Sequence, residues 1–171
     1  MKTIIRFDGD YRFLSNFWRS EVSYEGIKYP TSEHAYQASK SMDSSDRQRI
    51  ADIPKPGDVK KEGRKLQLRS DWEQVKDDVM LDIVRIKFTS NPDLAKKLLD
   101  TDDAILVEGN HWHDVHFGVC YCDKCKGIGE NKLGEALMKV RGELKFYSPE
   151  INAKSEPLTV DISNSLDIPE I

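Results

Sequence analysis

The segment Pro30–Lys40, PTSEHAYQASK, concentrates side chains that can exchange protons or form hydrogen bonds. It begins with a helix-start pattern, because proline is common near helix starts and the hydroxyl of Thr31 or Ser32 can accept a free backbone amide there. Glu33 and Lys40 are seven positions apart. At about 3.6 residues per turn, that spacing brings both side chains to nearly the same face of the predicted helix.

Tyr36 and Gln37 lie between these residues at helical spacings, so one face carries a carboxylate, a phenol, an amide and an amine. Such a set suits acid–base or nucleophilic chemistry on a bound molecule. The alternative is a solvated face, on which Glu33 only favours the positive end of the helix dipole.

A second cluster of reactive residues lies between His111 and Asn131, in the sequence HWHDVHFGVCYCDKCKGIGEN. This segment has enough nitrogen and sulfur donors for a tetrahedral zinc site with three thiolates and one imidazole. The predicted ligands are Cys120, Cys122, Cys125 and His116. The alternative is a loop with free, reduced thiols, since the pattern lacks the distant second pair of a double CxxC motif.

Several aromatic residues stand next to polar groups, namely Phe17, Trp18, Trp72, Trp112 and Phe117. Core packing is the usual role of such rings. Stacking on a nucleobase or a similar flat ring is the functional alternative.

The elements that must position these residues follow from the spacing of apolar side chains. Extended segments are predicted near the N-terminus and again from Ala104, and helices are predicted between and after them. The predicted strands are Thr3–Phe7, Glu21–Tyr29 and a run beginning at Ala104. The predicted helices are Thr31–Lys40, Asp58–Leu68, Trp72–Phe88, Pro92–Thr101 and Lys132–Leu144. Trp72–Phe88 is the clearest amphipathic pattern in the chain.

Composition limits the class of protein. A chain of 171 residues is most simply one domain with its own core. No apolar run approaches the roughly 18 residues that span a bilayer. Three cysteines crowded into six positions do not form a disulfide framework, so we expect a cytoplasmic, reducing location. A net charge of −4 disfavours tight nonspecific binding to nucleic acid through phosphates.

An ordered series of motifs resembles the NADAR family, also called YbiA-like, over residues from about 6 to 145. The motifs are FLSNF at Phe13–Phe17, PTSEHAYQASK at Pro30–Lys40, DWEQVKDDVM at Asp71–Met80, KF at Lys87–Phe88, LVE at Leu106–Glu108, HDVHFG at His113–Gly118 and GENKLGEALMKVR at Gly129–Arg141. The predicted fold is accordingly mainly α, an α-rich α+β single domain over residues 1–147 with a few short N-terminal strands and a multi-helix core. Residues 148–171 are predicted to form a loosely held tail.

The resemblance implies an enzyme that cleaves N-glycosidic bonds. Two activities are linked to the family: removal of ADP-ribose from the amino group of guanine in nucleic acid, and hydrolysis of ribosylamino-pyrimidine phosphate intermediates of riboflavin synthesis. The family's important glutamate, lysine, tryptophan, aspartate and asparagine fall on Glu33, Lys40, Trp72, Asp114 and Asn131. One departure is Phe117-Gly118, where the family usually has Trp-Gly.

In the expected mechanism, positive charge develops at the anomeric carbon. Glu33 would either stabilise this charge or activate the water that attacks the carbon. Asp114 or Glu33 would protonate the leaving amine. If the ribose ring opens, Lys40 could instead form a Schiff base. The predicted catalytic residues are therefore Glu33, Lys40 and Asp114.

The predicted substrate contacts are Asn16, Phe17, His34, Tyr36, Gln37, Trp72, Phe117, Gly118 and Asn131. The expected ligand is ADP-ribose on guanine in DNA or a nucleotide, with no membrane and no obligatory protein partner. This chemistry requires no cofactor, and a structural zinc at the cysteines is the one candidate metal. Two interpretations compete with an enzyme: a module that binds ADP-ribose or NAD without turnover, and an interaction protein organised by a zinc knuckle around Cys120 to Cys125.

Overall fold

Six short strands form three two-stranded sheets within residues 2–147, the part of the chain that this computed structural model describes. β1 (Thr3–Ile4) pairs in parallel with β4 (Ile105–Leu106), β2 (Arg19–Tyr24) pairs antiparallel with β3 (Ile27–Thr31), and β5 (Gly109–Asn110) pairs in parallel with β6 (Val119–Cys120). Two of the three pairings therefore join strands that no short turn connects. β1 and β4 are far apart in sequence, and an irregular loop joins β5 to β6.

The single strand predicted over Glu21–Tyr29 is wrong, because the chain reverses direction within it. Glu25 and Gly26 both have positive φ, 46° and 82°. Two consecutive positive φ angles make a tight turn whose twist matches that of the flanking strands. The result is a hairpin that ends at Thr31 and leads directly into the first helix.

Helices form most of the remaining structure. They are a 3₁₀ helix at Gly9–Leu14, α1 (Ser32–Ala38), α2 (Ser44–Ala51), α3 (Pro56–Gly63), α4 (Trp72–Thr89), α5 (Pro92–Leu99) and α6 (Lys132–Tyr147). The amphipathic helix from Trp72 and its neighbour from Pro92 are confirmed. Sequence patterns missed α2, because this helix buries only Ile50 and Ala51 and depends on Asp43 as its N-cap.

Two predicted helices are shorter in the structure than in the prediction. The helix from Thr31 ends at Ala38, where the hydroxyl of Ser39 donates to the Ala35 carbonyl oxygen at 2.7 Å, so Lys40 follows the last turn. The helix predicted over Asp58–Leu68 instead occupies Pro56–Gly63.

The core lies where α4 packs against α6, α5 and the β2–β3 hairpin. A lysine is part of this core: Lys87, on α4, is 1% exposed. Its ammonium donates to the carbonyl oxygens of Phe13 (2.6 Å) and Ser15 (2.9 Å). These bonds satisfy the buried donor and fasten the end of the 3₁₀ helix to α4.

The predicted fold class, an α-rich α+β single domain with a multi-helix core, is confirmed, although β4, β5 and β6 add strands outside the N-terminal region. The predicted tail, residues 148–171, lies outside the described residues. Among the helices of residues 2–147, none has the length and apolar character needed to cross a membrane.

Candidate active site

A cavity of about 880 Å³ opens between α1, α3, the segment after the 3₁₀ helix and the segment that follows β4. This volume lies toward the upper end of the range for small-molecule sites. Eight residues predicted to be catalytic or to contact substrate line it: Asn16, Phe17, Glu33, Tyr36, Gln37, Lys40, Asp114 and Phe117. The structure therefore brings together the three predicted catalytic side chains from two distant segments.

Glu33 lies in the first turn of α1, at the buried end of the cavity, and is 6% exposed. Thr31 is the N-cap, and the backbone amide of His34 donates to its hydroxyl at 3.3 Å. The Glu33 amide donates to the Asn16 carbonyl oxygen at 3.0 Å, and Gln37 Nε2 donates to Glu33 Oε1 at 2.9 Å. The carboxylate is thus held by its own helix and by the segment after the 3₁₀ helix.

Burial raises the pKa of Glu33, because the charged form loses water. The hydrogen bond from Gln37 and the positive charges of Lys60 and Lys40 oppose this shift, and the negative charge of Asp114 reinforces it. A carboxyl with a raised pKa can hold a proton closer to neutral pH, as a general acid requires.

Lys40 follows α1 and is partly buried beside an aromatic group. Its ammonium lies 5.8 Å from the centre of the Tyr36 ring. Burial lowers the pKa of Lys40, and the nearby Glu33 carboxylate opposes that shift. A lowered pKa gives a larger fraction of neutral amine, the form that attacks a carbonyl.

The ring of Tyr36, which lines the cavity, packs against two other aromatic side chains. Its ring centroid lies 5.2 Å from the rings of both Trp72 and Phe117. Trp72 is 5% exposed and does not line the cavity. The predicted contact between Trp72 and substrate is therefore not direct. Trp72 instead supports Tyr36 from α4.

Asp114 lies in the loop between β5 and β6. Its Oδ1 accepts the backbone amide of Phe117 at 3.0 Å. The side chain of Asn110 braces the same turn: its Nδ2 donates to the Asp114 carbonyl oxygen at 2.7 Å, and its Oδ1 accepts the Asp114 amide at 3.2 Å. This network fixes the carboxylate without help from a helix or a long strand.

Glu108 is a third carboxylate in the cavity that sequence reasoning did not select. Burial, followed by the charge of Asp114, raises its pKa to about 7. The Glu33 charge acts in the same direction, whereas Lys60 and Lys87 oppose the shift. Its signal in the sequence was the LVE motif, an acidic residue at the end of an apolar run.

Three buried polar atoms of the cavity-lining residues have no hydrogen-bond partner among the described residues: Asn16 Oδ1, Gln37 Oε1 and Glu108 Oε2. An unpaired buried polar atom costs about 1–3 kcal/mol. Gln37 Oε1 packs against Gly63 of α3, since a Cβ atom added there would lie 2.0 Å from it.

The exposed part of the cavity carries three cations, aromatic rings and one carboxylate, Asp8, whose Oδ2 lies 4.0 Å from Arg6 Nη1. Arg6, Lys60 and Arg64 line it, and none of them was predicted as a site residue. The sequence signal for two of them was the basic segment KKEGRK that includes the end of α3. Phe17 and Trp112 also line the cavity and are 42% and 62% exposed. Exposed rings beside cations suit a nucleobase and its phosphates.

Besides Trp72, three predicted substrate contacts do not line the cavity. His34 is fully buried, with Nδ1 2.7 Å from Thr31 Oγ1 and Nε2 2.8 Å from the Ile53 carbonyl oxygen. Gly118 packs so closely that a Cβ atom there would lie 2.3 Å from the Glu108 carbonyl oxygen. These residues hold the framework in place.

Asn131 is the third of these residues and has a bracing role. Its Oδ1 accepts the Glu108 amide at 3.0 Å, and its Nδ2 donates to the Leu106 carbonyl oxygen at 2.8 Å. The residue therefore fixes the backbone on which Glu108 is mounted.

The imidazole that accompanies the three cysteines is His113, which corrects the predicted ligand His116. His113 Nδ1 lies 3.2 Å from Cys125 Sγ and 3.5 Å from Cys122 Sγ. The His116 ring instead lies 2.7 Å from Asp77 Oδ1 and 3.3 Å from Glu130 Oε2. The spacing of two histidines in one loop could not tell them apart.

Fold and cavity together define an α-rich α+β domain with a ligand pocket that is acidic inside and cationic at its rim. The chain belongs to the NADAR domain family, whose pattern matches residues 6–145. It is 37% identical over 147 residues to the N-glycosidase YbiA of Escherichia coli, a match that covers 83% of this chain and 89% of that protein.

Two further comparisons agree with this assignment. The Vibrio vulnificus riboflavin biosynthesis protein VVA0006 is 36% identical over 144 residues, which are 83% of this chain but only 38% of that protein. The NMR structure of the E. coli protein YbiA superposes with a TM-score of 0.72 at 34% identity, covering 92% of this chain and 93% of that one. N-glycosidase activity is therefore present in the family to which this chain belongs.

Proposed function

We propose that this protein is an N-glycoside hydrolase that removes ADP-ribose from the amino group of guanine in nucleic acid. The observation that carries the proposal is the division of one cavity into an interior with three carboxyl groups, Glu33, Glu108 and Asp114, and a rim with the cations Arg6, Lys60 and Arg64. The interior suits the reaction, and the rim suits a substrate that contains a diphosphate.

The reaction requires a carboxylate and an acid. Cleavage of the N-glycosidic bond leaves positive charge at the anomeric carbon, and Glu33 in its ionised form would stabilise that charge or activate water. The amino group leaves readily only when protonated. Glu108, with a pKa of about 7, joins Asp114 and Glu33 as a candidate for the proton donor. We propose no catalytic cofactor for these steps.

Lys40 offers a second route through an opened ribose ring. In this route the ring opens to an iminium between the anomeric carbon and the guanine amino nitrogen. The neutral amine of Lys40 adds to that carbon, the guanine amine takes up a proton and leaves, and water hydrolyses the resulting Schiff base to release ADP-ribose and free Lys40. Burial beside Tyr36, which lowers the pKa of Lys40, favours the attacking form of the amine. In either route Lys40 is proposed to be essential.

The size of the cavity supports the larger of the two substrates linked to the family. A volume of about 880 Å³ has room for a dinucleotide-sized group. Phe17 and Trp112, both exposed at the cavity, would stack on the adenine or the guanine. The net charge of −4 suits contact with a single displaced nucleotide more than a long tract of backbone.

A second candidate is hydrolysis of a ribosylamino-pyrimidine phosphate. It is favoured by the similarity to VVA0006, a protein named for riboflavin biosynthesis. The same carboxyl groups would act, and the rim cations would bind a single phosphate.

A product assay with both substrates distinguishes these functions. Wild type and Glu33→Gln are incubated with an oligonucleotide carrying ADP-ribosylated guanine and, separately, with a ribosylamino-pyrimidine phosphate. We expect wild type to release free ADP-ribose from the first substrate and Glu33→Gln to release none. Release of ribose 5-phosphate from the second substrate alone would replace the proposal with the second candidate.

Binding without turnover would overturn both candidates. If wild type binds ADP-ribose by calorimetry but forms neither product, the protein is a binding module. Asp52→Asn is the control for Glu33→Gln. It also removes one negative charge, but Asp52 is exposed and lies outside the cavity.

A further inference from the structure

The four side chains His113, Cys120, Cys122 and Cys125 converge in the loop beside the cavity. One donor atom from each, Nδ1 of the histidine and the three Sγ atoms, lies within 4.8 Å of all the others. The cysteines are free of disulfide bonds, and Cys120 is fully buried. Three thiols and one imidazole in so small a volume form a complete set of tetrahedral ligands.

Two of the separations between ligand atoms are close to those of a zinc site, and all of them are within 4.8 Å. Zinc bonds of about 2.3 Å to sulfur and about 2.0 Å to nitrogen, at tetrahedral angles, place ligand atoms roughly 3.5–3.8 Å apart. His113 Nδ1 lies 3.5 Å from Cys122 Sγ and 3.2 Å from Cys125 Sγ. Small movements of side chains would therefore admit the ion.

The backbone around the cysteines is arranged to support thiolates. The Cys125 amide donates to Cys122 Sγ at 3.4 Å. The amides of Lys126 and Gly127 donate to the carbonyl oxygens of Cys122 and Cys120, each at 2.8 Å. The bond from the Cys125 amide would partly balance the negative charge of a Cys122 thiolate, and the two bonds to carbonyl oxygens hold the turn that orients the ligands.

We propose that His113, Cys120, Cys122 and Cys125 bind one structural zinc ion. Four protein ligands leave no open coordination position, and a closed site is typical of structural zinc. Its ligands come from β6, the turn after β6 and the loop between β5 and β6. The ion therefore cross-links three segments of backbone that contain little regular structure.

The ion also positions part of the cavity, an effect that rests on the proposed function. His113 has a φ of 66°, a conformation uncommon for residues other than glycine. It stands between Trp112 and Asp114, both of which line the cavity. Coordination of its Nδ1 would hold this strained backbone and thereby fix Asp114 relative to Glu33.

The first test is metal analysis of the purified full-length protein after removal of any polyhistidine tag. We expect about one zinc per chain by inductively coupled plasma mass spectrometry. Cobalt(II) added in place of zinc should give the visible absorption of a tetrahedral thiolate site. Reduced thiols that carry neither zinc nor cobalt, or a site that holds iron instead, would overturn the proposal.

Matched variants identify the imidazole ligand. His113→Ala should lose the tetrahedral cobalt spectrum and weaken zinc retention by at least about tenfold, whereas His116→Ala should retain both properties. The opposite pattern would overturn the assignment of His113. Cys122→Ser adds a thiol variant, and the wild-type metal content decides the proposal even if that variant does not fold.

Turnover measurements test the positioning effect separately. Chelation of the zinc should lower the rate of the proposed glycoside cleavage by roughly tenfold or more, and adding zinc back should restore it. Equal rates with and without zinc would remove the positioning effect. Metal content needs no substrate, so it distinguishes failure of the zinc site from failure of the proposed function.

Discussion

The cavity is built from two regions that hold their carboxylates in different ways. In α1, Glu33 is positioned by an N-cap, by a hydrogen bond within the helix and by the burial of all seven helical residues. In the loop from Gly109 to Asn131, Asp114 is positioned by turns, by the side chain of Asn110 and by two-residue strands. One region is regular and local, and the other is irregular.

This difference determines how each region would respond to change. A helix in the core resists local motion because its backbone hydrogen bonds and its packing support each other. A loop with few buried apolar contacts depends on individual cross-links, so removal of one link has a larger effect on its geometry. The ligand set that contains His113 is the strongest candidate for such a link.

The largest expected effect is on turnover in the regular region. Glu33→Gln keeps the size of the side chain and the hydrogen bond with Gln37, but removes the negative charge. We expect kcat to fall by about 100-fold or more while ADP-ribose affinity and thermal stability are retained. Steady-state kinetics and calorimetry provide the measurements. Unfolding of the variant would instead mean that Glu33 mainly stabilises the start of α1.

The next effect tests how α3 holds α1. A Cβ atom added at Gly63 would lie 2.0 Å from Gln37 Oε1 and 3.0 Å from Gln37 Cβ. Gly63→Ala should lower the free energy of unfolding by about 1–3 kcal/mol and reduce kcat, because Gln37 must move away from Glu33. Gly57→Ala in the same helix meets no atom within 4 Å, so it should not lower the free energy of unfolding and should leave kcat unchanged. Equal denaturation midpoints for the two variants would contradict this coupling.

The third effect concerns pH and the carboxyl group between the two regions. The folded-state pKa of Glu108 is about 7 against an ordinary value of 4.5, so folding favours its protonated form. The resulting stabilisation is complete below pH 4.5 and is lost as pH rises through about 7. Glu108→Gln should reduce this fall in the free energy of unfolding by on the order of 1–3 kcal/mol. Urea denaturation at pH 5 and pH 8 measures it.

Glu33 contributes to the same trend, because burial raises its pKa as well. The Glu108→Gln variant should therefore keep part of the pH dependence, and the double variant with Glu33→Gln should keep less. If the free energy of unfolding of Glu108→Gln depends on pH as strongly as that of wild type, Glu108 is ionised in the folded protein.

The smallest effect is expected at the rim. Arg64 is exposed and lines the cavity, so Arg64→Gln should raise KM a few-fold at low salt with kcat nearly unchanged. The difference should shrink as ionic strength rises, because salt screens exposed charges. Lys61→Gln is the matched control, since Lys61 lies on α3 outside the cavity and pairs with Asp58. An Arg64 effect independent of salt would argue against a phosphate contact.

Sequence patterns predicted the regular region better than the loop. Helical spacing placed Glu33, Tyr36 and Gln37 together. Residue type limited the N-cap to Thr31 or Ser32, and the structure shows that it is Thr31. The family motifs pointed to Asp114, which no periodicity could have joined to α1. Local patterns succeed where neighbours in sequence are also neighbours in space.

The missed residues depend on tertiary contacts. Glu108 becomes a titratable group of the cavity only because Asn131 and Gly118 pack against its backbone. Lys60 and Arg64 reach the rim only because α3 packs on α1. The fold of the loop decides that His113, and not His116, lies beside the cysteines. The spacing of these residues in the sequence does not show how the loop folds.

The buried Lys87 has a consequence for the order in which the protein forms during synthesis. It joins α4 to Phe13 and Ser15, and β1 joins Thr3 to Ile105. A ribosome-bound chain that ends before these partners cannot hold Asn16 or Phe17 in place. Such long separations delay folding of this part of the domain until its partners have been synthesised. Asn16 and Phe17 are therefore made before α4 and β4 and reach their final positions only after both elements have followed.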